Sequence, residues 1–440
     1  MAVHDLKIAN GRLVLPHEIV EADLLIDNGL ITAILKPGLS SSEKADETIN
    51  AKQHLVLPGL VDIHVHFRDP GFPEKEDFAS GSLAAAAGGV TTISDMPNTN
   101  PPTTTLESFH FKLKQAEKKC ITDFTLHGGP NYPNVANATP KIQSENQKQI
   151  LLDSAKQLIG EGVISFKIYM PHLEAPVIPY LASLGHMLTI HAEEPTLLGS
   201  PKDNSSFAFL ASRPPEAEVQ AVKKLLLAPP LCNFHICHIS TAAGFRYILA
   251  AQHKGIPVTT EVTPHHLLLT VKELAEIGPL AKCYPPLRST TDREALLNAC
   301  FAGQINIIAS DHAPHTTIEK TGPDANFASA PAGIIGVETM FPLLYTKLVN
   351  AAEMTLPQLV QMMGLNPATR FGIRNNKSIE KGQIAVGGDA DLVLFNAKAS
   401  YAIRGDTLHN KSPLTPFEGW KVRGKIIQTL LRGKTIFHSE

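Results

Sequence analysis

Apolar and polar positions divide the chain into two β-rich ends and an alternating middle. Near the start, short apolar runs at residues 6–8, 12–15, 24–26 and 31–34 are broken by Asn10-Gly11 and Asn28-Gly29. Asn-Gly between such runs signals a tight hairpin, because a two-residue turn wants positive φ at its central residues. The far end is similar: Gly387-Gly388-Asp389 precedes an apolar run at 390–395, and short strands flank Gly424 within 420–431. In between, apolar β-branched runs at 60–65, 91–93, 162–168, 187–190, 234–239, 258–262 and 305–309 read as fully buried parallel strands. Helix-like stretches at 78–87, 106–119, 147–160, 216–228, 242–253 and 291–302 separate them. This repeated alternation fits a (β/α)8 TIM-like barrel. A doubly wound open sheet is the rival, but no Gly-rich phosphate-binding fingerprint follows the first strand. The expectation is an α/β chain of two domains. A small β-sandwich is formed from both ends, residues 1–57 plus 380–440, and a catalytic barrel occupies 58–379.

Composition narrows the function classes. The 440 residues are 43% hydrophobic and 18% charged, which excludes disorder, coiled coil and collagen-like repeats. A net charge of −3 provides no basic field for nucleic acid, and no Lys/Arg run suggests a membrane surface. The longest apolar runs are far short of the roughly 20 residues that span a bilayer. The first ten residues lack a cationic region followed by an apolar one, so no secretory signal is expected. Cys120, Cys232, Cys237, Cys283 and Cys300 are odd in number, scattered and free of CxxC pairs. A reducing, cytoplasmic setting fits them better than a disulfide framework. Histidine is the unusual count, at 19 against one Trp.

Functional residues of a barrel lie just past the C-terminal ends of its strands. His64 and His66 flank Val65 at one such end, where alternate side chains share a face and two imidazoles can share a metal. Alone, an HxH is as readily two unrelated polar residues. Lys167 lies inside an apolar strand, where an ammonium must be ion-paired, deprotonated or chemically altered. Carbamylation by CO2 would make it an anionic oxygen ligand. His191 and His238 follow two further strands, and Asp311 a third. Each alone has a structural explanation; the joint pattern points to a metal centre. Imidazole and carboxylate donors suit Zn2+ or similar ions, and six donors exceed what one tetrahedral ion needs. Two divalent metal ions sharing a bridging water would hold hydroxide at neutral pH. His265-His266 reads as structural or rim, because neighbours on extended chain point opposite ways. His235 reads as packing, while His127, His172 and His186 have no evident strand-end partner.

At these residues the sequence resembles the amidohydrolase superfamily, and within it the larger, class I-like dihydroorotases. The resemblance starts with Pro58-Gly59-Leu60-Val61-Asp62-Ile63-His64-Val65-His66-Phe67-Arg68 and continues through Met96-Pro97-Asn98-Thr99. Cys237-His238-Ile239-Ser240-Thr241, Glu261-Val262-Thr263-Pro264-His265-His266, Pro285-Pro286-Leu287-Arg288 and Ser310-Asp311-His312-Ala313-Pro314-His315 follow in family order. Pro331-Ala332-Gly333, Gly336-Val337-Glu338-Thr339 and Asn366-Pro367-Ala368 complete the set. The resemblance implies a barrel with a small β-sandwich from both ends. It also implies that His64 and His66 hold one metal, His191 and His238 the second, and carboxylated Lys167 bridges both. Asp311 would ligate the first metal and serve as general base, then acid. Arg68, Asn98 and His315 would bind a substrate carboxylate. Lys167 resembles the carboxylated lysine of the animal dihydroorotase domain, hydantoinase and allantoinase, where some bacterial enzymes carry an Asp-rich segment. Tyr284 stands where the family commonly has Asn. The implied reaction is reversible hydrolysis of dihydroorotate to N-carbamoyl-L-aspartate in pyrimidine synthesis. Family analogy adds a homodimer and allows association with aspartate transcarbamoylase. The alternatives are allantoinase or hydantoinase, or a non-catalytic partner of aspartate transcarbamoylase.

Overall fold

A computed structural model describes residues 3–37, 39–131, 142, 144–169, 177–227 and 233–439. His172 and Cys232 lie outside the described residues. The architecture is α/β: an eight-stave parallel barrel whose helices pack outside it, joined to one large sheet built from both chain ends.

The sheet takes β1 (Val3–Val14), β2 (Ile19–Asp27), β3 (Leu30–Leu35), β4 (Lys44–Asn50) and β5 (Leu55–Pro58) from the start. The end supplies β13 (Leu392–Ala402), β14 (Lys421–Leu431) and β15 (Lys434–His438), and the path runs β15-β14-β13-β5-β1-β2-β3 with β4 beside β1. Alternation along a strand explains why this sheet serves two cores. Val56 and Leu13 enter the sheet's own apolar cluster, whereas Leu55, Leu57 and Val14 enter the barrel's. The Asn28-Gly29 hairpin is present, joining β2 to β3 with φ of 51° and 75° at the two turn residues. The Asn10-Gly11 hairpin is not. Asn10 takes φ 57° inside the continuous β1, and the register with β2 shifts there, so the dipeptide makes a bulge.

The barrel staves are β6 (Leu60–Val65), β7 (Val90–Asp95), β8 (Asp123–Leu126), β9 (Phe166–Ile168), β10 (Leu188–Ile190), β11 (Phe234–Ile236) and β12 (Val258–Thr260). Parallel bridges Gly128↔Phe166, Val262↔Ile308 and Val65↔His312 join the arcs and close the ring through residues 305–312. That last run is too irregular to pair as a regular strand. The pattern also missed β8, whose Asp123 and Thr125 interrupt its apolar character, and its runs at 162–168, 234–239 and 258–262 are longer than the regular strands β9, β11 and β12. Val61, Ile63, Ile307, Ala309 and Phe371 fill the barrel floor. Gly424 lies within a continuous β14, at φ 88°, and not between two short strands. A Cβ there would collide with the Phe395 ring at 2.0 Å.

Candidate active site

Every predicted site residue comes to the C-terminal rim of the barrel. Strands β9 to β12 are in register, so Lys167 lies level with Thr189, His235 and Thr259. Two residues further along β10 brings His191 to the same side. His238 breaks that parity. Its φ of 34° turns the chain directly after Cys237, and Arg68 and Asp311 likewise take positive φ, at 63° and 48°. Non-glycine residues in this region cluster where tertiary contacts over-determine the backbone, as at catalytic rims.

These turns open a cavity of about 270 Å³ lined by His64, His66, Arg68, Asn98, Lys167, Tyr169, His191, His238, Tyr284, Asp311, Ala313, Ala332 and Gly333. His315 stands just behind, its Nε2 3.2 Å from Arg68 Nη2 and 3.0 Å from the Ala332 carbonyl. Asp311 Oδ1 lies 3.1 Å from His66 Nε2 and 3.3 Å from His64 Nε2. Lys167 Nζ lies 3.4 Å from His64 Nε2 and 2.8 Å from Cys237 Sγ. The His64 and His238 rings are 5.3 Å apart, and those of His191 and His238 4.7 Å.

Buried carboxylates that the sequence reading left without a role hold these imidazoles from behind. Glu261 binds His64 Nδ1, and its other oxygen lies 3.1 Å from His235 Nε2. Glu193 Oε2 lies 2.7 Å from His191 Nε2 and is paired with Arg213. Such partners fix ring orientation and raise ligand basicity. The available signal was an acid at or within three residues of a barrel strand's end, close to the one that singled out Asp311. His235 is therefore a support for Glu261 as well as packing. His127 does end a strand, β8, but its nitrogens are taken by Ser165 Oγ and the Ile63 carbonyl. His265 and His266 sit on a short helix, Pro264–Leu268, and not on extended chain, and both are buried.

The electrostatics suit a cation. Burial pushes His66 down to about 4 and lowers His191 and His238 as well, leaving neutral imidazoles. Burial would raise Asp311 and Glu261, but neighbouring histidines hold both well below the usual carboxylate range. His64 is opposed by burial and by Lys167, yet Glu261 and Asp311 lift it to about 10. The point between these carboxylates thus favours positive charge, carried by a proton or a metal ion. His64, His66 and Asp311 bring ligand atoms within 4.8 Å of one another, and His238 Nδ1 is buried without a hydrogen-bond partner among the described residues. The neutral imidazoles of His66, His191 and His238, a charged carboxylate and an orphaned nitrogen fit divalent metal. By contrast, the carboxylates of Asp123, Asp389 and Asp391 already enclose the Lys381 ammonium at 2.6–2.7 Å.

Residues 55–436 match the Amidohydrolase family. Dihydroorotases from Pediococcus pentosaceus and Staphylococcus aureus are each 36% identical, over 98% of this chain and 99% of theirs. An allantoinase from Rubrobacter xylanophilus is 35% identical over 99% of this chain and 95% of its own. Among solved structures, the L-hydantoinase (dihydropyrimidinase) from Arthrobacter aurescens superposes with a TM-score of 0.89 at 30% identity, covering 99% of this chain and 96% of that one. The chain belongs to the amidohydrolase family. Within that family it is a metal-dependent cyclic amidohydrolase acting on a small molecule. No described helix is long and apolar enough to cross a membrane.

Proposed function

We propose that this enzyme is a dihydroorotase, reversibly hydrolysing the cyclic amide of (S)-dihydroorotate to N-carbamoyl-L-aspartate in de novo pyrimidine biosynthesis. The observation that carries the reading is the anion end of the cavity. Arg68 lines it beside Asn98, with His315 3.2 Å behind the guanidinium. The arginine fork matches a carboxylate bidentately, and dihydroorotate has a carboxylate where a hydantoin has none. The 36% identity to dihydroorotases along nearly the whole chain supports the same reading.

Two divalent ions, zinc in this reading, would be held by His64, His66, Lys167, His191, His238 and Asp311. When bound they would polarise the amide carbonyl and lower the pKa of the attacking water. Carboxylation of Lys167 adds CO2 to the neutral amine and releases one proton, leaving an anionic carbamate between the imidazoles. Arg68, Asn98 and His315 fix the substrate carboxylate, which places the ring amide near Asp311. Asp311 takes a proton from the attacking water and delivers it to the departing ring nitrogen; synthesis reverses the order. Residues 1–57 with 380–440, and 58–379, are the two domains in this reading, and a cytoplasmic homodimer its setting.

Metal analysis of the purified protein with hydrolysis assays on dihydroorotate, hydantoin and allantoin tests the proposal. Preferred turnover of dihydroorotate by a two-metal enzyme is expected. Preference for hydantoin or allantoin would replace it with the reading that the allantoinase relative favours.

A further inference from the structure

Two lysines behind the cavity have no role in the mechanism. Lys282 and Lys320 are 3% and 4% exposed, and neither forms an ion pair within 4 Å among the described residues. A buried ammonium without a carboxylate is costly unless its donors are satisfied. Apart from a 3.5 Å contact of Lys320 Nζ with the Lys282 carbonyl, their hydrogen bonds go to one segment. Lys282 Nζ donates to the carbonyls of Phe327 and Ala330, at 2.7 and 2.6 Å. Lys320 Nζ donates to those of Pro331 and Gly333, at 3.1 and 3.0 Å. His315 takes the carbonyl between them, that of Ala332. Four consecutive carbonyls, Ala330 to Gly333, are therefore held by three side chains, in a stretch without helix or strand. Ala332 and Gly333 are cavity wall. The approach is close: a Cβ on Gly333 would meet the Ala313 carbonyl at 2.3 Å and His315 Cδ2 at 2.9 Å.

We propose that Lys282 and Lys320 are positioning residues for substrate binding, which set the Ala332–Gly333 wall against His315 and so shape the anion end of the cavity. The inference rests on the reading of that end as the carboxylate site. Hydrogen bonds from an ammonium are strong and direct, so two residues can order a loop that has no backbone ladder of its own. The charge of Lys320 also reaches the site: burial, Arg68 and Lys75 lower His315 most, and the Lys320 ammonium lowers it further. Burial brings Lys320 down to about 7, with Lys282 opposing and Cys283 and Glu319 favouring its charge. Burial and Arg213 bring Lys282 to about 8. The clamp therefore loosens as pH rises through neutrality.

The test uses the metal-loaded full chain and its Lys282→Met and Lys320→Met variants. KM for dihydroorotate should rise roughly tenfold or more in each, with kcat within about threefold and metal content unchanged. KM of the unaltered enzyme should climb from acid to alkaline pH, and the variant carrying both Lys282→Met and Lys320→Met should lose that climb. Hydrogen exchange on the unaltered enzyme covers the case of variants that fail to fold. Amide protection of Ala330 and Gly333, which donate to the Asn326 and Lys282 carbonyls, should fall with rising pH beyond the intrinsic rate change. Unchanged KM in both variants, or protection indifferent to pH, overturns the inference. If dihydroorotate is not opened but another cyclic amide is, the proposed function fails, and the same KM comparison is made with that amide.

Discussion

The Nδ1 of His66 and the side-chain Oδ1 of Asn98 are 2.7 Å apart. An amide oxygen only accepts, so the imidazole carries its proton on Nδ1 and turns the Nε2 lone pair toward the Asp311 side of the cavity. In the proposed reading, one asparagine thus joins the substrate end of the site to its metal end.

Separating these two duties is straightforward. Asn98→Leu should lose both, with metal affinity falling roughly 10–100-fold and KM rising. Asn98→Asp keeps an acceptor for His66 but sets a negative charge beside the substrate carboxylate. It should retain metal while KM rises sharply. Metal titration and steady-state kinetics on the two variants check this, and equal metal loss in both would remove Asn98 as the orienting partner.

Asp311 faces both His64 and His66, and its carboxyl stays ionised at working pH. Asp311→Asn preserves shape but cannot accept a proton from water. Turnover should fall by roughly 10²–10⁴-fold while most metal remains bound, as measured by kcat alongside metal content. Near-normal activity would discard Asp311 as the base.

Lys167 is fully buried among imidazoles and Cys237, with no carboxylate to pair it. The ion pair that the sequence left open is absent among the described residues, and the proposed carbamate bridge can be tested directly. Lys167→Ala should lose metal and activity together, and a short carboxylic acid such as propionate should restore part of both. Full metal binding in the unsupplemented variant would rule out the bridge.

Lys381 ties Asp123 of the barrel to Asp389 and Asp391 beside β13. Burial opposes its charge, but the carboxylates raise it above the ordinary lysine range. A raised lysine contributes stability that is fully present below its unfolded value, about 10.5, and is lost as pH climbs through the folded one. Lys381→Met should cost about 3 kcal/mol near neutral pH, because Asp389 and Asp391 lose their cation while Asp123 keeps Arg432. The deficit should shrink in acid, where they take up protons. Denaturant melts of both proteins across pH decide it; a deficit independent of pH would contradict the clamp.

The sequence by itself determined the architecture and the kinds of donor at the site. Buried parallel staves leave a periodic apolar signature, and strand-end residues sit at predictable offsets from it, so the gathering of His64, His66, Lys167, His191, His238 and Asp311 around one cavity was legible. So was the Asn28-Gly29 turn, because its backbone demand is local. Local signals failed where the deciding partner is distant in the chain. Asn10-Gly11 became a bulge because β2 continues to pair across it. The acids Glu193 and Glu261 gained a role only once His191, His64 and His235 were brought against them. His238 reaches the cavity through a left-handed turn that strand parity does not anticipate. Lys282 and Lys320 find their carbonyl partners dozens of residues or about ten residues away, in a stretch with no pattern of its own. Period and propensity are properties of neighbouring residues; the orientation of a buried charge is set by whatever the closed barrel places beside it.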